Sequence, residues 1–245
     1  MSAQHDQIGA KVADWDVLPV RSKYIEGYTF FNALGSVNEK NVLDVACGDG
    51  LYTRQLKARG ATSVTGVDIS EEMIRNARQQ EADQPLGIEY HVSDVADMPL
   101  LGSFDVVTAI YLLPYAHSPE HMLRMCRNIH AHLKPGGSFV TYAFNPDFSA
   151  KGPNSTRYGI TMVDFPESPR DGHEISAVLH TEVPLTIQFF LWSRATHEQV
   201  LRDAGFQSIT WTRPECSPTG LAKYGQAFWQ DYLDNPHAMA LRCTR

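Results

Sequence analysis

Apolar and polar positions change their period along this chain, and the changes locate its elements. In "SKYIEGYTFFNAL", Tyr24, Tyr28, Phe31 and Leu34 recur at helical spacing. From residue 41 short apolar runs alternate with amphipathic stretches. "NVLDVA" predicts a buried strand, "GLYTRQLKARG" a helix stopping at Gly60, and "SVTGVDIS" a second strand. "EEMIRNARQQE" predicts the next helix, with Glu71 and Glu72 in the first turn, where the helix dipole favours acids. "IEYHVSDV" and "FDVVTAIYLL" predict strands three and four. "PEHMLRMCRNIHAHL" predicts a helix burying Met122, Cys126, Ile129 and Leu133, and "SFVTYAFN" a fifth strand after the turn "LKPGG". Strands alternating with helices imply an α/β fold with a Rossmann-like, doubly wound, mostly parallel sheet.

The pattern breaks over 146–185, where "PDFSAKGPNSTRYGITMVDFPESPRDGHE" is rich in Pro, Gly and Ser. An excursion over the site is expected there. A strand resumes at "PLTIQFFLWS", and Thr196 with Gln199 predicts a capping box for a short helix. "SITWTR" is expected as the last sheet strand, and the last strand as antiparallel. "SPTGLAKYGQAFWQDYLDN" reads as helical. The chain thus divides into a helical cover (1–40), a core (41–145), a lid-like excursion (146–185) and C-terminal strands and helix (186–245), all within one domain.

Composition narrows the function classes. The chain has 245 residues, 43% hydrophobic and 20% charged, which suits one large globular domain. No apolar run reaches the roughly 20 residues of a membrane span, and the start lacks a signal-peptide pattern, so a cytoplasmic location and no membrane partner are expected. A net charge of −7 without any basic run argues against a nucleic-acid partner. The four cysteines are too dispersed for a metal or redox motif, and Cys47 in the glycine loop reads as a small residue in a crowded turn. No metal is expected.

The chemistry centres on "VLDVACGDG" (42–50). A buried strand carrying Asp44 breaks into Gly48 and Gly50, and glycine lets backbone approach a ligand closely. The helix that follows offers free N–H groups. A dinucleotide site would need GxGxxG; here Thr53 stands at the third glycine, and Asp49 inside the loop would repel a pyrophosphate. Asp68, ending the second strand, suits the ribose hydroxyls of a nucleoside ligand, dinucleotide or other. Asp94, in "VSDVADMP", is a second acid at a strand end, suited to an adenine amino group.

With "VLDVACGDG", "VTGVDIS", "SDVADMP", "FDVVTAIYLL" and "LKPGG" in this order, residues 40–145 resemble the class I S-adenosylmethionine-dependent methyltransferases. Ala46 departs from them mildly, standing where many members have a glycine. The flanks "PVRSKYIEGYTFF" and "SPTGLAKYGQAFWQDYL" are similar to small-molecule methyltransferases related to the toxoflavin N-methyltransferases. The resemblance implies S-adenosylmethionine as cofactor, with S-adenosylhomocysteine as product. It implies that Asp44, Ala46, Gly48, Asp49 and Gly50 hold the methionine end, with Arg21 on the carboxylate. It places Asp68 on the ribose, Ile69 and Met73 against adenine, and Ser93, Asp94 and Val95 at the adenine edge. Ile110 and Tyr111 belong near the sulfonium.

Methyl transfer is an in-line displacement in which orientation supplies most of the rate. A neutral nitrogen acceptor needs no base; a hydroxyl does. His117, Tyr115 and Tyr111 are the candidate catalytic groups, with His180 a further base. His121, His130 and His132 are expected on a solvated helix face. Trp15, Tyr115, Asn145, His180 and Trp192 are expected to meet the acceptor. The aromatic stock suits a small, flat acceptor, with N-methylation first and O-methylation second. A monomer or homodimer is expected. An RNA or protein methyltransferase and a non-catalytic regulatory binder of the cofactor are the alternatives.

Overall fold

A computed structural model describes residues 20–245. The first helix, α1, combines a π-helical turn, Ser22–Glu26, with an α-helical part, Gly27–Leu34. The π-turn shifts the helical phase, so Ile25, Phe30 and Leu34 are buried while Tyr24, Tyr28 and Phe31 sit on the flank. It also puts residues five apart on one face, and this brings Arg21 and Glu26 together.

The alternation predicted from residue 41 is present. Strands β1 (Asn41–Val45), β2 (Ser63–Asp68), β3 (Glu89–Val92), β4 (Phe104–Ile110) and β5 (Leu133–Phe144) are parallel. Helices α2 (Leu51–Ala58), α3 (Glu71–Asp83) and α4 (Pro119–His132) lie between them. Ser70 and Ser118 cap α3 and α4 by accepting the N–H groups of Met73 and His121. Both sheet faces are buried, in step with the pleat. Val42, Val106 and Val140 pack on one side; Leu43, Val107 and Phe139 pack on the other.

Helix α5 (Arg194–Asp203) is capped by Ser193, whose hydroxyl accepts from Thr196 N–H, so the cap lies three residues before the predicted box. "SITWTR" forms β9 (Gln207–Thr212), but it is not the last strand. Helices α6 (Pro218–Tyr224) and α7 (Gln226–Asp234) lead to β10 (Ala238–Thr244), which inserts antiparallel between β5 and β9. The sheet order is β3-β2-β1-β4-β5-β10-β9. Because β10 runs backwards, its first residues stand where the parallel strands end.

The excursion is more regular than its composition predicts. It holds β6 (Ile160–Met162) and β7 (Glu174–Leu179), which join β8 (Leu185–Phe190) in a separate antiparallel sheet. Phe144, Phe148, Ile160, Ile175 and Phe189 pack between this sheet and the end of β5. No helix among the described residues is long and apolar enough to cross a membrane.

Candidate active site

The turn after β1 is built on left-handed backbone at Ala46 (φ 54°), Gly48 (φ 58°) and Gly50 (φ 89°). Asp68 anchors it from the end of β2. Its carboxylate accepts the Gly48 N–H at 2.8 Å and the Ser70 N–H at 2.9 Å. A Cβ on Gly48 would meet only Met73 Sδ at 4.0 Å, so bare backbone faces open space there. A Cβ on Gly50 would come within 2.4 Å of Tyr90 Oη, so close packing beneath the turn demands glycine.

This turn borders a cavity of about 280 Å³ at the carboxyl ends of the strands, where ligands of open α/β sheets bind. Ala46, Gly48, Asp68, Ile69, Met73, Asp94 and Val95 line one half. Asp94 accepts the Ala96 N–H at 2.8 Å, which holds it at the rim. The other half is apolar, walled by Phe144, Ile160, Leu179, Ile187 and Phe189 with Tyr115 and Met125.

A polar corner joins the halves. Arg21, Ile110, Tyr111 and His237 border the cavity there. Glu26 lies behind them and accepts from Arg21 Nε (3.1 Å), Ser22 Oγ (2.8 Å) and Tyr111 Oη (2.7 Å). His237 Nε2 lies 3.3 Å from Glu26 Oε1 and 3.2 Å from Tyr111 Oη. Burial raises the Glu26 pKa, but Arg21 beside it and the His237 and Tyr111 bonds hold it well below the usual carboxylate range. Burial opposes the Arg21 charge, and Glu26 more than restores it. Burial pushes His237 down, only partly offset by Glu26, so it is neutral at neutral pH. Tyr111, the residue after β4, has φ 59°, a conformation that non-glycine residues rarely hold and that concentrates at functional sites.

The sequence-predicted residues divide cleanly. Arg21, Ala46, Gly48, Asp68, Ile69, Met73, Asp94, Val95, Ile110, Tyr111 and Tyr115 all border this one cavity. Asp44 does not. It is 1% exposed and accepts from Thr53 and Thr108 hydroxyls, both at 2.7 Å, and burial pushes its pKa to about 6. Asp49 folds back towards Leu51 N–H at 3.4 Å, Gly50 packs against Tyr90, and Ser93 donates its N–H to Asp68 O. His117 and His180 are exposed and outside the cavity lining; His180 bonds Thr161. Asn145 is 2% exposed and pins β5 to the start of β10, donating to the carbonyls of Pro236 and His237. Trp192 is buried and donates to Ala116 O. Trp15 lies outside the described residues.

Three site residues escape sequence reasoning. His121 is not on a solvated face: it is 5% exposed, borders the cavity and stacks on His117 with centroids 4.2 Å apart. Glu26 sits in a stretch that reads as ordinary helix. His237 precedes a strand that the sequence reading omits, although the apolar run "AMAL" after Asn235-Pro236 is itself a strand signal. The Cys47 thiol is buried and pushed well up, so it is no nucleophile. No group of residues arranged to hold a metal occurs among the described residues.

Comparison with known proteins matches this geometry to a family. The methyltransferase domain family matches residues 42–137, which carry the glycine turn, Asp68, Asp94 and Tyr111. A relative from Coxiella burnetii (strain Dugway 5J108-111), a ubiquinone biosynthesis O-methyltransferase, is 34% identical over 167 residues. That match spans 66% of this chain and 64% of the relative, so the chain spans just under two thirds of its length. Two solved structures share the fold. An S-adenosylmethionine dependent methyltransferase from Mesorhizobium loti has a TM-score of 0.68 at 23% identity, covering 95% of this chain and 100% of that one. An S-adenosylmethionine-bound amino pentose methyltransferase from Micromonospora echinaspora has a TM-score of 0.59 at 15% identity, covering 100% and 97%. The chain therefore has the class I S-adenosylmethionine-dependent methyltransferase fold. The cavity fits the cofactor of that class: a backbone cradle at Gly48 without side-chain cover, one acid at the end of β2 and another after β3.

Proposed function

We propose that this protein is an S-adenosylmethionine-dependent methyltransferase acting on a small, apolar aromatic molecule. The observation that carries this reading is one cavity lined by two chemically different sets of residues. Gly48, Asp68 and Asp94 line one half, and an apolar wall forms the other. When bound, the cofactor supplies an electrophilic methyl group on a sulfonium. Asp68 would accept from its ribose hydroxyls and Asp94 from its adenine amino group, with Ile69 and Met73 against the ring. Arg21 would meet its carboxylate while remaining paired with Glu26. Phe144, Ile187 and Phe189 would hold the acceptor flat and dry, which favours an aromatic ring over a sugar or an amino acid.

The sequence alone puts nitrogen first as the methylated atom. The O-methyltransferase relative moves the preference to oxygen. The test is calorimetry with S-adenosylhomocysteine, wild type beside Asp68→Ala, followed by an acceptor screen pairing phenols with aromatic amines. Micromolar binding that weakens about 100-fold or more in the variant is expected, since two bonds to a charged group are each worth about 1.5–3 kcal/mol. No binding by the wild type would sink the reading. Transfer to amines alone would restore nitrogen.

A further inference from the structure

Arg21 reaches in two directions. It is 6% exposed and borders the cavity. Its Nε donates to Glu26 at 3.1 Å, and its Nη1 donates to the backbone carbonyl of Tyr158 at 2.9 Å. A guanidinium carries five N–H donors in one rigid plane, so these two bonds occupy only part of the fork. Tyr158 is 137 residues away in sequence, inside the excursion. Nothing in the pairing of Arg21 with Glu26 requires that second bond.

Tyr158 is where the chain enters the small sheet. It ends a short helical turn, Thr156–Tyr158, and Gly159 then leads into β6 through left-handed backbone (φ 88°). The Tyr158 ring is fully buried with Ile25 of α1 and with Trp229 and Tyr232 of α7, and its hydroxyl donates to Phe228 O. The side chain is thus fixed, and the backbone between it and β6 is what Arg21 holds. The next carbonyl, of Gly159, accepts the His180 N–H just past β7. Ile160 follows directly, pairs with Leu179 of β7, and both residues wall the apolar half of the cavity. One guanidinium therefore borders the cavity and also holds the backbone from which its apolar wall begins.

We propose that Arg21 is a positioning residue for the acceptor wall, and that a cofactor carboxylate engaging it fixes β6 and Ile160 through Tyr158 O. The inference rests on the methyltransferase reading above and adds a coupling between the two halves of the cavity. Without ligand, the fork is held on one side by a carboxylate and on the other by a neutral carbonyl. A second carboxylate restrains the whole plane, and the Tyr158 carbonyl with it. Cofactor and acceptor then tighten each other's binding, and the two effects are equal by linkage. A planar fork can hold a ligand and a carbonyl together in fixed geometry. The ammonium of a lysine, a compact charge on a flexible stem, cannot.

Amide hydrogen exchange, read by mass spectrometry on the peptide from Tyr158 to Val163, tests the coupling without any acceptor. Two ligands are compared on the wild type, each at a saturating concentration set by calorimetry. S-adenosylhomocysteine carries the carboxylate. 5′-Methylthioadenosine keeps the adenine, ribose and thioether but lacks it. S-adenosylhomocysteine should slow exchange in this peptide about tenfold or more, the order of factor that a hydrogen bond to a charged group is worth. Methylthioadenosine should slow it less than about twofold. The peptide over β9, at the far edge of the large sheet, should respond to neither. In Arg21→Lys saturated with S-adenosylhomocysteine, the 158–163 peptide should exchange at its ligand-free rate. Equal slowing by the two ligands in the wild type overturns the proposal, and that comparison does not depend on a variant folding. Slowing that persists in Arg21→Lys overturns it too, as does a wild type that binds S-adenosylhomocysteine with no slowing. A wild type that binds neither ligand overturns the methyltransferase reading instead, and calorimetry shows this before exchange is measured.

Discussion

Asp44 holds a carboxylate inside the sheet with two threonine hydroxyls and, among the described residues, no cation. Burial pushes its pKa to about 6; the two hydroxyl bonds oppose that shift and the Asp68 charge adds to it. The native pKa lies above the unfolded one, so the native state binds the proton more tightly between about pH 4 and 6. Stability from this group is therefore present below that window and lost as pH rises through it. Asp44→Asn should remove the dependence and be more stable than wild type at pH 7 by about 1–3 kcal/mol, since each pKa unit corresponds to about 1.4 kcal/mol. Urea unfolding at about pH 4.5 and about pH 7 measures both; a variant weaker than wild type at the higher pH would mean the charge itself is needed. An acid in an apolar run is conspicuous in sequence, and that is why Asp44 stands out there. His237 borders the cavity and Glu26 lies behind it, yet both look ordinary in the sequence. Glu26 faces inward only because a π-turn shifts the phase of α1, and periodicity read at 3.6 residues per turn does not detect such a shift.

The turn between β1 and α2 shows how one element constrains another. Gly50 begins α2 in a left-handed conformation directly over the ring of Tyr90 on β3. An added Cβ would sit 2.4 Å from Tyr90 Oη and 3.0 Å from Cζ. Gly50→Ala should cost about 2–4 kcal/mol, combining the left-handed penalty with overpacking. Tyr90→Phe alone should be neutral or stabilising by up to about 1 kcal/mol, because Tyr90 Oη is buried without a partner among the described residues. In the double variant Tyr90→Phe should recover part of the Gly50→Ala loss, since it removes the closest contact but not the ring. Thermal unfolding of the four proteins gives the cycle; strict additivity would show that the Tyr90 hydroxyl is not what excludes the Cβ. At this scale the βα alternation of 41–144 is legible because each element keeps one period throughout. The strands β6 and β7 are not, since three- and six-residue strands among Pro and Gly leave no sustained pattern. The strand β10 is legible in principle, as an apolar run after a turn, but its place between β5 and β9 follows from pairing across the sheet, which no local pattern encodes.

Across the whole molecule the two halves of the cavity come from different parts of the chain. The methyltransferase domain match ends at residue 137 and contains the cofactor half. Phe144, Ile160, Leu179, Ile187 and Phe189, most of the wall of the other half, lie beyond it, while Tyr115 and Met125 lie within it. On the reading proposed above, acceptor choice is set largely by residues beyond 137, and a change there should leave cofactor binding untouched. Ile187 tests this division. It lies on β8, borders the cavity and is paired in the small sheet with Ala177. Ile187→Ala removes three carbons from the wall and keeps the strand. At about 0.8 kcal/mol per buried methylene, KM for an aromatic acceptor should rise about 10- to 50-fold. S-adenosylhomocysteine affinity, read by calorimetry, should stay within about twofold. If both affinities fell together, the small sheet would be supporting the entire cavity rather than walling one half. If neither changed, the acceptor would lie elsewhere, and the aromatic preference argued from this wall would lose its basis.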